Sequence, residues 1–147
     1  MEKREPIRVF FIVPPKVHLL DISGPIHVFY EAIECGAHID SKFLSINNHA
    51  EQLSSAGLFF SRLENYDDYI LSEFDIILIP GLDANLISDN RFEEEIQPFL
   101  SWLKTQAQNG AKICSVCTGA YLLGFSGLLN EKEMAVFLLQ SDCPRSG

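Results

Sequence analysis

Three nearly continuous apolar runs constrain the fold of this chain more than any other feature of its sequence. They cover residues 7–13, 75–81 and 111–116 and are rich in β-branched and aromatic side chains. The first run stops at a double proline, and the second closes on a proline and a glycine. Uninterrupted runs of this length are typical of parallel strands that are buried on both faces. The sequence therefore predicts a mostly parallel sheet.

Helical patterns follow these runs. Residues 21–25 combine capping residues with a proline suited to a first helical turn, which predicts a helix that ends at Gly36. Apolar residues recur every three or four positions over residues 92–107, with a break at Pro98, and residues 118–125 are apolar on every side. Strands that alternate with helices in this way predict an α/β fold.

The stretch between the first helix and the second apolar run carries weaker signals. Residues 43–46 predict a second strand. Residues 52–54 and 58–60 predict a short hairpin whose turn contains Gly57.

Composition limits the partners of the chain. Its 147 residues are 47% apolar, so we expect one domain over residues 1–147, with residues 131–147 as a divergent tail. The net charge of −9 argues against direct contact with nucleic acid. The double proline cuts the first run short of an export signal, no stretch has the length of a membrane span, and no glycine-rich cofactor motif is present. The sequence predicts a cytoplasmic protein with reduced thiols and no cofactor.

Cys117 lies where the third apolar run should turn sharply into a helix. In such an elbow the side chain projects from the carboxyl end of the sheet, beside the unpaired amides of the helix start. Those amides and the helix dipole stabilise a thiolate, and Gly119 allows the close approach that the turn demands. A reactive thiol and a buried structural cysteine both remain open interpretations of this pattern.

Cys114 and Cys117 also form a C-x-x-C pattern. A zinc site of that type needs a second ligand pair, and neither Cys35 nor Cys143 supplies one at a usable spacing. Cys114 should lie within a strand, where residues three apart point to opposite faces. We therefore expect neither a metal site nor a redox pair here.

Asp21 follows the exit of the first strand, and the carboxyl ends of parallel strands share one edge of a sheet. This places Asp21 near Cys117, where a carboxyl and a thiolate would share one proton. The alternative is an aspartate that only stabilises the start of a helix. None of the four histidines follows Cys117, where a hydrolytic elbow protein usually keeps its base; they are His18, His27, His38 and His49.

Three segments, taken in order, resemble the ThiJ/PfpI superfamily, which has the class I glutamine amidotransferase-like fold. They are residues 17–25 (VHLLDISGP), 79–81 (IPG) and 114–123 (CSVCTGAYLL). The resemblance covers about residues 7–130 and is greatest for the amino-terminal sensor domain of AraC-type transcriptional regulators.

The resemblance implies a flavodoxin-like three-layer sandwich, homodimeric, that lacks its last carboxy-terminal elements in this chain. It implies catalytic roles for Cys117 and Asp21. The positions that it implies for ligand or oxyanion binding are Gly81, Leu82, Thr118 and Gly119. Peptidase-like members carry histidine where this chain has Thr118, and glutaminase relatives need a downstream histidine, so neither activity is expected.

The function that the resemblance implies is that of a ligand-sensing regulatory domain of an AraC-like regulator, without its own DNA-binding module. Its ligand would be an unknown small molecule, and it would have no membrane partner. Two alternatives use the same cysteine. One is an enzyme similar to isonitrile hydratase, and the other is a thiol redox sensor.

Overall fold

A computed structural model describes residues 4–130 of the chain. Five strands form a parallel sheet in the order β5-β2-β1-β6-β7, and a separate antiparallel hairpin pairs β3 with β4. The strands are β1 (Ile7–Val13), β2 (Ile39–Ser45), β3 (Gln52–Leu53), β4 (Phe59–Phe60), β5 (Glu64–Asn65), β6 (Ile76–Ile79) and β7 (Lys112–Ser115). The helices are α1 (Leu19–Glu34), α2 (Ala84–Ile87), α3 (Asn90–Glu95), α4 (Gln97–Gln108) and α5 (Ala120–Ser126), with short 3-10 turns at Tyr66–Asp68 and Cys117–Gly119.

Strand β1 is the centre of the fold because its side chains alternate between two apolar layers. Val9 and Phe11 face one layer, where Phe11 stacks on Phe43 and meets Phe29 of α1 edge to face. Phe10 and Ile12 belong to the larger core on the other face, together with buried residues of α4 and α5. Helices therefore cover both faces of the sheet, as the predicted three-layer α/β sandwich requires. The predictions for residues 131–147 lie outside the described residues.

Helix α1 begins earlier than the sequence pattern predicts. It starts at Leu19, so Pro25 lies inside the helix and not in its first turn. The prediction was wrong because the N-cap residue, His18, makes no side-chain capping hydrogen bond and therefore carries no capping signal. The start is set instead by a tertiary contact, since the His18 amide donates to the Gly81 carbonyl at 2.8 Å. Asp21 consequently lies within the first helical turn.

The other predicted elements are present, but β2 begins at Ile39, four residues before the predicted start, and β5 and α2 were not predicted. The hairpin pairs Gln52 with Phe60 and Leu53 with Phe59. The predicted break at Pro98 separates α3 from α4, and the proline occupies the first turn of α4, where its missing N–H costs nothing. Within residues 4–130, no helix is both long and apolar enough to cross a membrane.

A buried ion pair fixes the amino-terminal end of the sheet. Asp75, just before β6, accepts hydrogen bonds from Arg8 of β1 at 2.6 and 2.9 Å and from the Ser72 amide at 2.7 Å. Its side chain is only 3% exposed. Burial alone would raise the pKa of Asp75, but the Arg8 guanidinium and the Ser72 hydrogen bonds together hold it below its ordinary value of 3.8.

Replacing Asp75 should therefore destabilise the protein in a pH-dependent way. We expect Asp75→Asn to lower the free energy of unfolding at pH 7 by about 1–3 kcal/mol, because the Arg8 charge loses its partner. A lowered folded-state pKa means that this stabilisation is complete above the unfolded value of 3.8 and is lost as pH falls below it. The difference between wild type and variant in urea unfolding should thus shrink at acidic pH.

The control for this experiment is Glu31→Gln, since Glu31 is exposed and pairs with His27 at 3.4 Å on the surface of α1, away from Arg8. Its effect should stay within about 1 kcal/mol at every pH. An Asp75→Asn deficit that is equally large at pH 7 and at pH 3 would contradict the assignment.

Candidate functional site

Cys117 lies at the sharp bend between β7 and α5 that the sequence predicts. Val116 is still extended, but Cys117 has φ of +52°, a left-handed conformation that is rare for residues other than glycine. Such a conformation costs about 1–2 kcal/mol per residue and persists only where the surrounding structure enforces it. The Cys117 side chain is exposed at the carboxyl end of the sheet.

Gly119 is the residue that allows this bend. A Cβ atom at Gly119 would lie 2.5 Å from the carbonyl oxygen of Ile79 and 2.6 Å from that of Pro80. The elbow can therefore contact the end of β6 only because position 119 has no side chain. Two backbone hydrogen bonds hold it there: the Val116 amide donates to Ile79 at 2.9 Å, and the Gly119 amide donates to Val116 at 3.0 Å.

Thr118 ties the elbow to the loop that follows β6. Its hydroxyl accepts from the Leu82 amide and donates to the Leu82 carbonyl, both at 2.9 Å. The amides of Leu82 and Gly119 are thus bonded within the protein itself, and both residues shape the site without offering a donor to a ligand. The amides of Gly81 and Thr118, by contrast, take part in none of the turn and loop hydrogen bonds within residues 4–130.

Asp21 lies in the first turn of α1, and its carboxyl group is within 4.8 Å of the Cys117 sulfur. Its Oδ2 atom is buried and has no hydrogen-bond partner among residues 4–130. A Cβ atom at Gly81 would collide with this oxygen and would lie 3.2 Å from Cys117 Cβ, so Gly81 leaves the space in which the carboxyl and the thiol approach each other. The fold therefore brings together Asp21 and Cys117, which are far apart in the sequence.

His18 completes the group, although it was not among the predicted site residues. Its Nδ1 lies 3.6 Å from Asp21 Oδ2, and the donor atoms of His18, Asp21 and Cys117 all lie within 4.8 Å of one another. The signal that could have found His18 is its spacing, because residues three apart at a helix start lie on the same face.

Cys114 stands apart from this group. It lies on β7 beside Leu78, and Cys35, Cys114 and Cys117 are all free thiols in the described part of the chain. A hollow of about 740 Å³ lies near Arg4, Arg8 and Asp75 at the opposite end of the sheet. It contains neither the thiol nor the unpaired carboxyl, so the elbow is the stronger candidate site.

Adding a methyl group at the elbow should test how tightly the bend is packed. Gly119 has ordinary helical dihedral angles, so the cost of Gly119→Ala is steric alone. The opposing atoms are backbone carbonyls that cannot rotate away, and we expect a loss of about 1–3 kcal/mol in urea unfolding. The control is Gly124→Ala in α5, where nothing lies within 4 Å; that variant should gain about 0.5–1 kcal/mol. Equal effects of the two substitutions would refute the packing described here.

Comparisons with known proteins agree with this architecture. The model of the DJ-1/PfpI family matches residues 7–143. An uncharacterized protein in the cpoL 5' region of Streptomyces lividans is 33% identical over 129 residues, which are 87% of this chain and 85% of that protein. Isonitrile hydratase of Pseudomonas putida is 28% identical over 129 residues, which are 86% of this chain and 50% of the enzyme, so the chain spans about half of that relative.

Among solved structures, an AraC family transcriptional regulator from Pseudomonas putida superposes with a TM-score of 0.63 at 22% identity. The match covers 84% of this chain and 63% of the regulator chain, and at this identity it shows the fold alone. The family match extends over nearly all of the sequence and includes the elbow and the Asp21 turn. The chain belongs to the DJ-1/PfpI family.

Proposed function

We propose that this chain is a ligand-sensing domain that binds a small polar molecule at the elbow, beside Cys117, Asp21 and Gly81. The observation that carries the proposal is the buried Asp21 Oδ2 without a hydrogen-bond partner among the described residues. Leaving such an atom unpaired costs free energy, and a bound molecule that donates a hydrogen bond to it recovers that cost. A binding site explains why the fold keeps the carboxyl in this position.

The donors and acceptors around the elbow define the class of ligand. Asp21 accepts a hydrogen bond from the ligand, or donates one when protonated, while the amides of Gly81 and Thr118 donate. The exposed Cys117 thiol lies within 4.8 Å of the Asp21 carboxyl and can contact or attack an electrophilic carbon. A small molecule with both a donor and an acceptor, such as a carbonyl compound, fits this arrangement.

The regulatory role rests on two supporting facts. The chain resembles a regulator of the AraC family in fold and spans 63% of that longer chain. Its net charge of −9 suits a domain that reads a small molecule and leaves contact with DNA to another polypeptide segment. The predicted homodimer and the cytoplasmic location remain predictions.

Isonitrile hydration is a second candidate, favoured by the 28% identity to isonitrile hydratase and by the pairing of a thiol with a carboxyl. The Cys117 sulfur would bond to the isonitrile carbon, and the thiol proton would pass by way of the Asp21 carboxyl to the same carbon, giving a thioimidate. Water would then add its oxygen to that carbon and one proton to the nitrogen. The carbon–sulfur bond would break, the sulfur would take the other water proton, and an N-substituted formamide would be released. One water is consumed for each isonitrile.

The reactivity of the thiol tests the centre directly. We expect iodoacetamide to modify Cys117 about tenfold faster than Cys35 at pH 7, as followed by peptide mass spectrometry. Both thiols are exposed, but Cys117 lies at the start of α5 with the His18 and Asp21 side chains within 4.8 Å, whereas Cys35 follows the carboxyl end of α1 outside this group.

The same experiment separates sensor from enzyme. Cys117→Ser should remove the fast phase of alkylation and leave the alkylation rate of Cys35 unchanged. Equal alkylation rates at Cys117 and Cys35 in wild type would contradict a reactive thiol at the elbow. Incubation with a simple aliphatic isonitrile, with chromatographic detection of the formamide, then discriminates between the candidates. Catalytic turnover that is lost in Cys117→Ser establishes the hydratase, and fast alkylation without turnover supports the sensor.

A further inference from the structure

Three side chains at the elbow carry the donor atoms that a thiophilic metal ion prefers. His18 offers a ring nitrogen, Asp21 offers a carboxylate oxygen and Cys117 offers Sγ, and these atoms lie within 4.8 Å of one another. They come from two parts of the fold, the start of α1 and the bend after β7. We propose that His18, Asp21 and Cys117 form a three-ligand site for a divalent ion of the zinc type. This inference goes beyond the small-molecule site and needs only the geometry of these side chains.

The distances fit a tetrahedral shell after a small adjustment. Zinc binds nitrogen and oxygen at about 2.0–2.2 Å and sulfur at about 2.3 Å, so two ligands of one tetrahedral ion lie about 3.3–3.8 Å apart. His18 Nδ1 and Asp21 Oδ2 are already 3.6 Å apart. The sulfur has to move by about 1 Å at most, which rotation of an exposed cysteine side chain supplies.

The first two ligands are available before any metal arrives. The His18 side chain makes no capping hydrogen bond, and its backbone is held by the bond from its amide to the Gly81 carbonyl. Asp21 Oδ2 is buried and unpaired in the described part of the chain. A metal ion would therefore displace no existing hydrogen bond of either donor atom. It would also coordinate Asp21 Oδ2, whose burial without a partner otherwise costs free energy.

Charge and ligand type favour zinc over harder cations. One carboxylate and one thiolate carry two negative charges, which balance the divalent ion and offset the unfavourable positive end of α1. Imidazole and thiolate suit zinc, cobalt or copper, whereas magnesium and calcium require oxygen ligands. Three protein ligands leave a fourth position open to water or to an exogenous donor, as in sites where zinc binds small molecules.

The test uses the reduced 147-residue chain and Co²⁺ as a spectroscopic substitute for Zn²⁺. We expect one Co²⁺ per chain, with the near-ultraviolet charge-transfer band of a thiolate ligand and the intense visible bands of tetrahedral cobalt. Zn²⁺ should displace the cobalt. Cys117→Ser should lack the charge-transfer band, and His18→Gln should bind at least about tenfold more weakly, with its circular dichroism unchanged because no cap is lost.

Matched controls come from the same chain. His27→Gln removes a histidine that lies 3.4 Å from Glu31 in an exposed pair without a thiol, and Cys35→Ser removes an exposed cysteine elsewhere; both should bind Co²⁺ as wild type does. A charge-transfer band that persists in Cys117→Ser, or wild-type affinity in His18→Gln, would overturn the proposal. Alkylation of Cys117 in the presence of a chelator reports on the small-molecule site separately, so the two proposals can fail independently.

Discussion

The contact between Gly119 and the end of β6 is the constraint on which the site depends. The backbone of the elbow reaches the carbonyl oxygens of Ile79 and Pro80 only because Gly119 has no side chain. Because the backbone is this close to β6, the chain turns within a very short segment. Cys117 adopts a positive φ at that turn. The Thr118 hydroxyl then joins the elbow to Leu82 by two hydrogen bonds, one from the Leu82 amide and one to the Leu82 carbonyl. Strain at Cys117 and order around it are consequences of one close approach.

The same region contains a second unfavourable feature, the unpaired carboxyl oxygen of Asp21. The buried carboxylate of Asp75, in contrast, is fully paired with Arg8 and Ser72. Buried polar atoms are normally satisfied, and strained residues cluster where a protein binds or reacts. The contrast between Asp75 and Asp21 therefore separates a group that stabilises the fold from one that is kept available for a ligand.

The sequence was a good guide wherever local physics decides the structure. The apolar run of residues 7–13 matches β1 at both ends, Pro98 marks the break between α3 and α4, and the bend falls at Cys117. Tertiary contacts decided the rest. The start of α1 depends on a hydrogen bond from His18 to Gly81, residues that are remote in the chain, and no side-chain pattern records it. The spacing of His18 and Asp21 was visible in the sequence, but the proximity of His18 to Cys117 exists only after folding.

The strain at position 117 is the central claim, and a comparison of two variants measures it most directly. Both Cys117→Gly and Cys117→Ala remove the sulfur, but only glycine accepts φ of +52° without steric cost. In urea unfolding at neutral pH, the glycine variant should be more stable than the alanine variant by about 1 kcal/mol. In an unstrained helix or turn the order is reversed, since glycine loses more backbone entropy on folding. An alanine variant that equals or exceeds the glycine variant in stability would contradict a left-handed cysteine at this bend.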